Sequence, residues 1–163
     1  MKYVNKRELK LYGGNLIIKK YVAKRSLIFL FAVVLSFALS ASCLAGMTAK
    51  NFVKEAKKSV KEISVVDAKA AIDSGKAVVI LDVRTAKEFK SGHVPKAINI
   101  PRGLLEFKIA KKIKDKGAYI IAYCKSGGRS CLSTCTLNRM GYENAVSMAG
   151  GWKAWLKAGY SVE

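Results

Sequence analysis

The chain has 163 residues, with 30 Lys and Arg against 11 Asp and Glu, a net charge of +19, four cysteines and one histidine. This length predicts one domain around a single core. One histidine and no paired Cys-x-x-Cys leave a four-ligand zinc site without support, and no basic strip carries the interleaved aromatics of a nucleic-acid binder.

The first predicted element is the apolar run Ser26 to Gly46, "SLIFLFAVVLSFALSASCLAG", with Lys24 and Arg25 just before it. A charged stretch, an apolar segment and a small-residue end are the marks of an export signal. Residues 1–45 therefore read as a signal peptide or membrane-anchor segment with a basic N-terminal extension, whose length also fits a start at Val22. Three exits are open: cleavage after Ala45, lipidation of Cys43, or an uncleaved span near the ~20 residues of a membrane helix. Each puts the domain outside the cytoplasm of a bacterium, periplasmic or tethered to a membrane. Lys2, Lys6, Arg7, Lys10, Lys19, Lys20, Lys24 and Arg25 against Glu8 give this segment +7, and +12 remains on residues 46–163. Those later lysines alternate with acids as on a solvated surface, and their field would steer small dianions inward. Without Cys43 the exported part holds Cys124, Cys131 and Cys135, an odd number that implies a free thiol.

Within residues 46–62, Thr48 to Glu62 places Phe52, Val53, Ala56 and Val60 on one helical face, which predicts an amphipathic helix or tether docking on the domain. Residues 63–163 then alternate. Strands are expected at Ile63–Val65, Ala77–Leu81, Ala97–Pro101, Ala118–Tyr123 and Asn144–Met148. Helices are expected at about Asp67–Ser74, Thr85–Gly92, Gly103–Gly117, Cys131–Gly141 and Gly151–Gly159. Such alternation specifies an α/β fold, a parallel sheet with helices on both faces, whose sites form at the carboxyl ends of strands.

Cys124 stands at such an end, opening "CKSGGRS". Gly127 and Gly128 allow dihedrals closed to other residues. The backbone N–H groups from Lys125 through Ser126 to Ser130 can then point to one centre as an anion-binding nest. The following helix adds its positive end, and Lys125 and Arg129 add full charges. Thiols at helix N-termini beside cations ionise readily, so Cys124 reads as a nucleophile activated by its loop, with no histidine base paired to it. Cys131 and Cys135 fall on one helical face, where packing, a resolving-thiol role and a metal contact are the three readings. Trp152 and Trp155 are candidates for the core or the pocket rim.

Three stretches together resemble the rhodanese family of sulfurtransferases, in its small exported single-domain form: "LDVRTAKEFKSGHVPKAINIP", "CKSGGRS" and "AGGWKAWLKAGYSVE". The resemblance implies a rhodanese-like fold over about residues 63–163 and persulfide chemistry on Cys124. A small anionic donor such as thiosulfate would supply the sulfur, cyanide or a thiol would accept it, and no metal or organic cofactor would take part. It also implies that Asp82, Arg84, Glu88 and His93, at matching positions, brace the loop through ion pairs and turn contacts. Two alternatives stand beside it. One is a non-catalytic persulfide carrier or docking domain. The other is a Cys-dependent phosphatase or arsenate reductase, whose Cys-x5-Arg loop is one residue longer than Cys124–Arg129. The sequence names no partner protein.

Overall fold

Asp82 and Tyr123 end two neighbouring strands at the same level, and this end of the sheet carries the site. The computed structural model describes residues 46–163; the apolar run up to Ala45, and with it Cys43 and the proposed cleavage site, lies outside the described residues. Among the described residues five strands form one sheet: β1 (Glu62–Ile63), β2 (Val78–Asp82), β3 (Ile98–Asn99), β4 (Tyr119–Tyr123) and β5 (Ala145–Met148). Their order is β1-β5-β4-β2-β3 and every pairing is parallel. The helices are α1 (Ala49–Ser59), α2 (Val65–Asp73), α3 (Ala86–Lys90), α4 (Leu105–Lys112, after a 3-10 turn at Arg102–Leu104), α5 (Gly128–Arg139) and α6 (Gly151–Lys157).

Side chains alternate across a strand, and β4 splits accordingly. Ile120, Ala122 and Cys124 join Leu105 and Ile109 of α4 and Leu137 of α5 in one core, whereas Ile121 and Tyr123 join Ala68 of α2 and Trp155 of α6 in the other. The central strands are thus apolar on both faces, as a helix-covered parallel sheet requires.

Several boundaries differ from the sequence reading. Ser64 caps α2, accepting from the Asp67 N–H while the Asp67 carboxylate accepts from the Ser64 N–H, so β1 stops at Ile63 and Val65 starts the helix. α4 ends at Lys112, since Ile113 turns extended and the Asp115 carboxylate accepts the Gly117 N–H at 2.8 Å to close a turn. α1 packs on α5 through Val53 and Ala56, but Phe52 is 53 % exposed and lies off the docked face. Among the described residues no helix is long and apolar enough to cross a membrane.

Candidate active site

Cys124 follows the last residue of β4, and its side chain is 1 % exposed, at the floor of the loop rather than its rim. Gly127 adopts φ +100°, in the left-handed region where only glycine is comfortable. From there the Gly127 N–H donates to Cys124 Sγ at 3.2 Å. α5 starts at Gly128, three residues earlier than expected, so Arg129 and Ser130 belong to its first turn and only Lys125, Ser126 and Gly127 form the loop. The helix carries no side-chain cap, which leaves first-turn N–H groups beside the thiol for an anion. Lys125 and Ser126 are exposed, and Lys125 enters no ion pair among the described residues.

The loop is clamped from the far side by α6. Gly150 and Gly151 both have positive φ, and a β-carbon on Gly151 would lie 2.2 Å from the Cys124 carbonyl oxygen. This close approach lets the Trp152 N–H donate to that carbonyl at 2.7 Å and the Lys153 N–H to the Lys125 carbonyl at 3.1 Å. Below the loop, Ser130 Oγ donates to the Gly127 carbonyl at 3.0 Å and shares a hydrogen bond with Ser147 of β5, also at 3.0 Å. The repeated glycine of "AGGW" was the sequence sign of the clamp; nothing in the sequence paired Ser130 with Ser147.

Arg129 does not stand free over the thiol as a bare charge. Its two Nη atoms each donate to one oxygen of Glu88 at 2.8 Å, and this two-pronged bond holds the Glu88 carboxyl well below the usual carboxylate range. Glu88 also completes a capping box with Thr85. It therefore joins the first turns of α3 and α5, because a planar guanidinium fits a carboxylate with two parallel bonds.

Asp82 and Arg84 form a second, buried pair. Arg84 Nη2 meets Asp82 Oδ2 at 2.7 Å, with side-chain exposures of 3 % and 0 %, and the same nitrogen donates to the Gly92 carbonyl at 2.7 Å. The guanidinium lies 4.6 Å from the Trp152 ring centre, which sets Trp152 at the rim of an open cleft of ≈ 330 Å³ shared with Arg84, Thr85, Lys87, Glu88, Ser91 and Lys125. Trp155, by contrast, is core.

His93 is the exception among the expected braces. Its ring stacks on Phe89, Nδ1 lies 3.1 Å from the Phe89 carbonyl and Nε2 3.6 Å from Glu163 Oε2. The backbones of His93 and Glu163 exchange two hydrogen bonds. It fastens the last residues of the chain to the loop after α3, so its partners are not those of the Cys124 loop. Cys131 is fully buried, and burial pushes its thiol up to about 11. Cys135 is half-buried with its sulfur 3.8 Å from Ser59 Oγ. Both are free thiols, as is Cys124. Among the described residues no cluster suited to a metal is present.

The Rhodanese-like domain profile matches residues 64–158. A Bacillus subtilis protein named as a proposed sulfur carrier, YrkF, is 32 % identical over 60 % of this chain, which spans about half of that protein's length, 51 %. A sulfurtransferase of Allochromatium vinosum is 31 % identical over 52 % of this chain and 78 % of its own. The solved structure of a Rhodopseudomonas palustris protein, described as of unknown function and a possible tyrosine phosphatase, superposes with a TM-score of 0.68 at 31 % identity, over 72 % of this chain and 95 % of that one. By its sequence profile, and with a parallel sheet and a Cys124 loop that fit it, this chain belongs to the rhodanese-like domain family.

Proposed function

We propose that the protein is a sulfurtransferase of the thiosulfate type, working through a persulfide on Cys124. The observation that carries this is the Gly127 N–H donating to Cys124 Sγ at 3.2 Å beside the uncapped start of α5. Donors aimed at a sulfur stabilise it as an anion and serve both thiolate and persulfide, which is electrostatic preorganisation. The Cys124 thiolate attacks the outer sulfur of thiosulfate, the S–S bond of the donor breaks, and sulfite leaves with the electron pair. Cyanide or a thiolate then attacks the outer sulfur of the Cys124 persulfide, and Cys124 departs as thiolate. Lys125 and the basic surface favour a dianionic donor. The apolar run at residues 26–46 supports an exported or membrane-tethered location outside the cytoplasm.

The test is mass spectrometry of the full chain after thiosulfate, with cyanide turnover and hydrolysis of an aryl phosphate assayed in parallel. One added sulfur on Cys124, thiocyanate formed, and no phosphate released is the expected result. Cys124→Ser abolishes all loading while the fold remains. Loading without turnover identifies a carrier. Phosphate release that disappears in Cys124→Ser, with no persulfide formed, overturns the proposal in favour of a phosphatase.

A further inference from the structure

The first turn of α5 is held from two sides. On the sheet side Ser130 ties it to Gly127 and Ser147. On the other stands α1, a helix outside the residues 64–158 that the family profile matches. The Val53 methyl carbons lie 3.6 and 4.0 Å from where a β-carbon on Gly128 would sit. An alanine would fit at that distance, so crowding does not demand glycine there. The consequence runs the other way: Gly128 has no side chain to cover its own backbone, and the cover comes from Val53. Farther along, Ala56 is 6 % exposed and Ser59 Oγ lies 3.8 Å from Cys135 Sγ. With Val53 by Gly128 and Ser59 by Cys135, α1 runs in the same direction as α5, and Val53 stands at the turn that follows the Cys124 loop. Lys57 and Glu62, paired at 2.9 Å, both act on the charge balance of the buried Cys131.

We infer that Val53 is a positioning residue for sulfur loading, acting through Gly128. Hydrogen bonds from N–H groups to a sulfur anion are strong only where water is kept away and the donors keep their aim. Ser130 fixes the inner side of the α5 turn and Val53 covers part of the outer side, so the turn that aims the Gly127 N–H at Cys124 Sγ stays in place. Cys131 and Cys124 are both buried, and Cys124 differs in lying at the strand end, where the Gly127 N–H donates to its sulfur. The inference rests on the reading of Cys124 as the sulfur-loaded nucleophile, with thiolate attack on the outer sulfur and sulfite as leaving group.

The experiment uses the full chain and two readouts: the thiosulfate concentration dependence of Cys124 loading, and site-resolved alkylation of Cys124 and Cys131 by iodoacetamide. Val53→Ser is expected to raise the KM for thiosulfate about 10-fold, a fraction of the loss from deleting a whole anion-binding donor. It is also expected to speed alkylation of Cys131 by roughly 10-fold as local opening becomes easier. Val53→Ile restores both values, and Phe52→Ser, at the exposed neighbour, leaves both unchanged. Should Val53→Ser fail to fold, Val53→Ala is read in the same way. An unchanged KM in the folded variant, no restoration by isoleucine, or equal damage from Phe52→Ser overturns the inference. If the unsubstituted chain does not load sulfur at all, the functional reading fails instead. The rate of Cys124 alkylation across the same variants still decides whether Val53 governs that thiol.

Discussion

The Trp152 N–H donates to the Cys124 carbonyl at 2.7 Å, so the backbone of Cys124 hangs from the first turn of α6. The approach is possible only because Gly151 has no β-carbon; one there would stand 2.2 Å from the Cys124 carbonyl oxygen and 3.1 Å from the Ser126 nitrogen. Both obstacles are backbone, which cannot swing aside as a side-chain tip can.

Gly151→Ala is therefore expected to push the Cys124 loop away from α6. A displacement near 1 Å in a reacting group costs about 100-fold in rate, and single-turnover sulfur loading measures it. Gly75→Ala is the control. Gly75 also has positive φ, +70°, but open space around it. It should cost about 1 kcal/mol of stability through strain alone, with loading unchanged.

Glu88→Gln removes the charge that holds Arg129. The pair is about one-third exposed on each side, so solvent discounts its contribution to stability to ~1 kcal/mol. The pH dependence has a definite sign. Arg129 holds the Glu88 carboxyl below its ordinary value, so its contribution to stability is fully present above the unfolded value of about 4.3. It is lost as pH falls below that. The gap in stability between the unsubstituted protein and Glu88→Gln should stay constant down to about pH 5 and close in more acid solution. Chemical denaturation at a series of pH values reads it.

Asp82→Ala leaves the buried Arg84 guanidinium with no carboxylate, although Gly92 still accepts one of its bonds. Breaking one side of a buried pair costs about 3–5 kcal/mol. The Arg84–Trp152 stack should loosen with it, so denaturant unfolding and Trp fluorescence move together. Retained stability would show that Arg84 finds water in the cleft.

Cys131 predicts an alkaline slope. Its thiol titrates near 11 in the fold because it is buried, against about 8.5 in the unfolded chain. Unfolded chains lose the proton first. Stability from this thiol is thus complete below about pH 8.5 and falls by ~1.4 kcal/mol per pH unit up to about 11. Cys131→Ala lacks that component, and the difference between the two unfolding curves isolates it from the other groups titrating there.

The alternation of apolar runs with helical segments made the parallel sheet legible, because β2, β4 and β5 are covered on both faces and read as mostly apolar stretches, broken only by Asp82 and Ser147. The Cys124 loop was legible for a similar local reason: two glycines after a strand-end cysteine have few other uses. What escaped the sequence were relations between distant residues. Arg129 read as a free cation because its partner, Glu88, is 41 positions away. His93 read as a brace for the loop, yet its nitrogens meet Phe89 and Glu163, the latter contributed by the far end of the chain. Phe52 read as buried from helical spacing, but the docked face of α1 is narrow, and Val53 and Ala56 nearly fill it. The start of α5 was placed late because a helix opening on Gly128 lacks the usual Ser, Thr, Asp or Asn signal.

That missing signal has a thermodynamic consequence. Thr48, Ser64 and Thr85 cap α1, α2 and α3 with their side chains, and α6 passes its first N–H groups to the carbonyls of Cys124 and Lys125. α4 has no side-chain cap but continues a 3-10 turn, whereas α5 opens with neither a side-chain cap nor such a turn. A cap contributes ~1 kcal/mol to a protein, and at α5 an anion held on the loop would supply that contribution. A charged outer sulfur on Cys124 would fill the role, as would a bound oxyanion, because anything held by the folded state alone raises its stability. For a domain of this size ~1 kcal/mol shifts the melting temperature by about 3–5 °C. If Cys124 carries sulfur as proposed, the loaded protein should melt several degrees above the empty one, so that heat resistance would report the cargo.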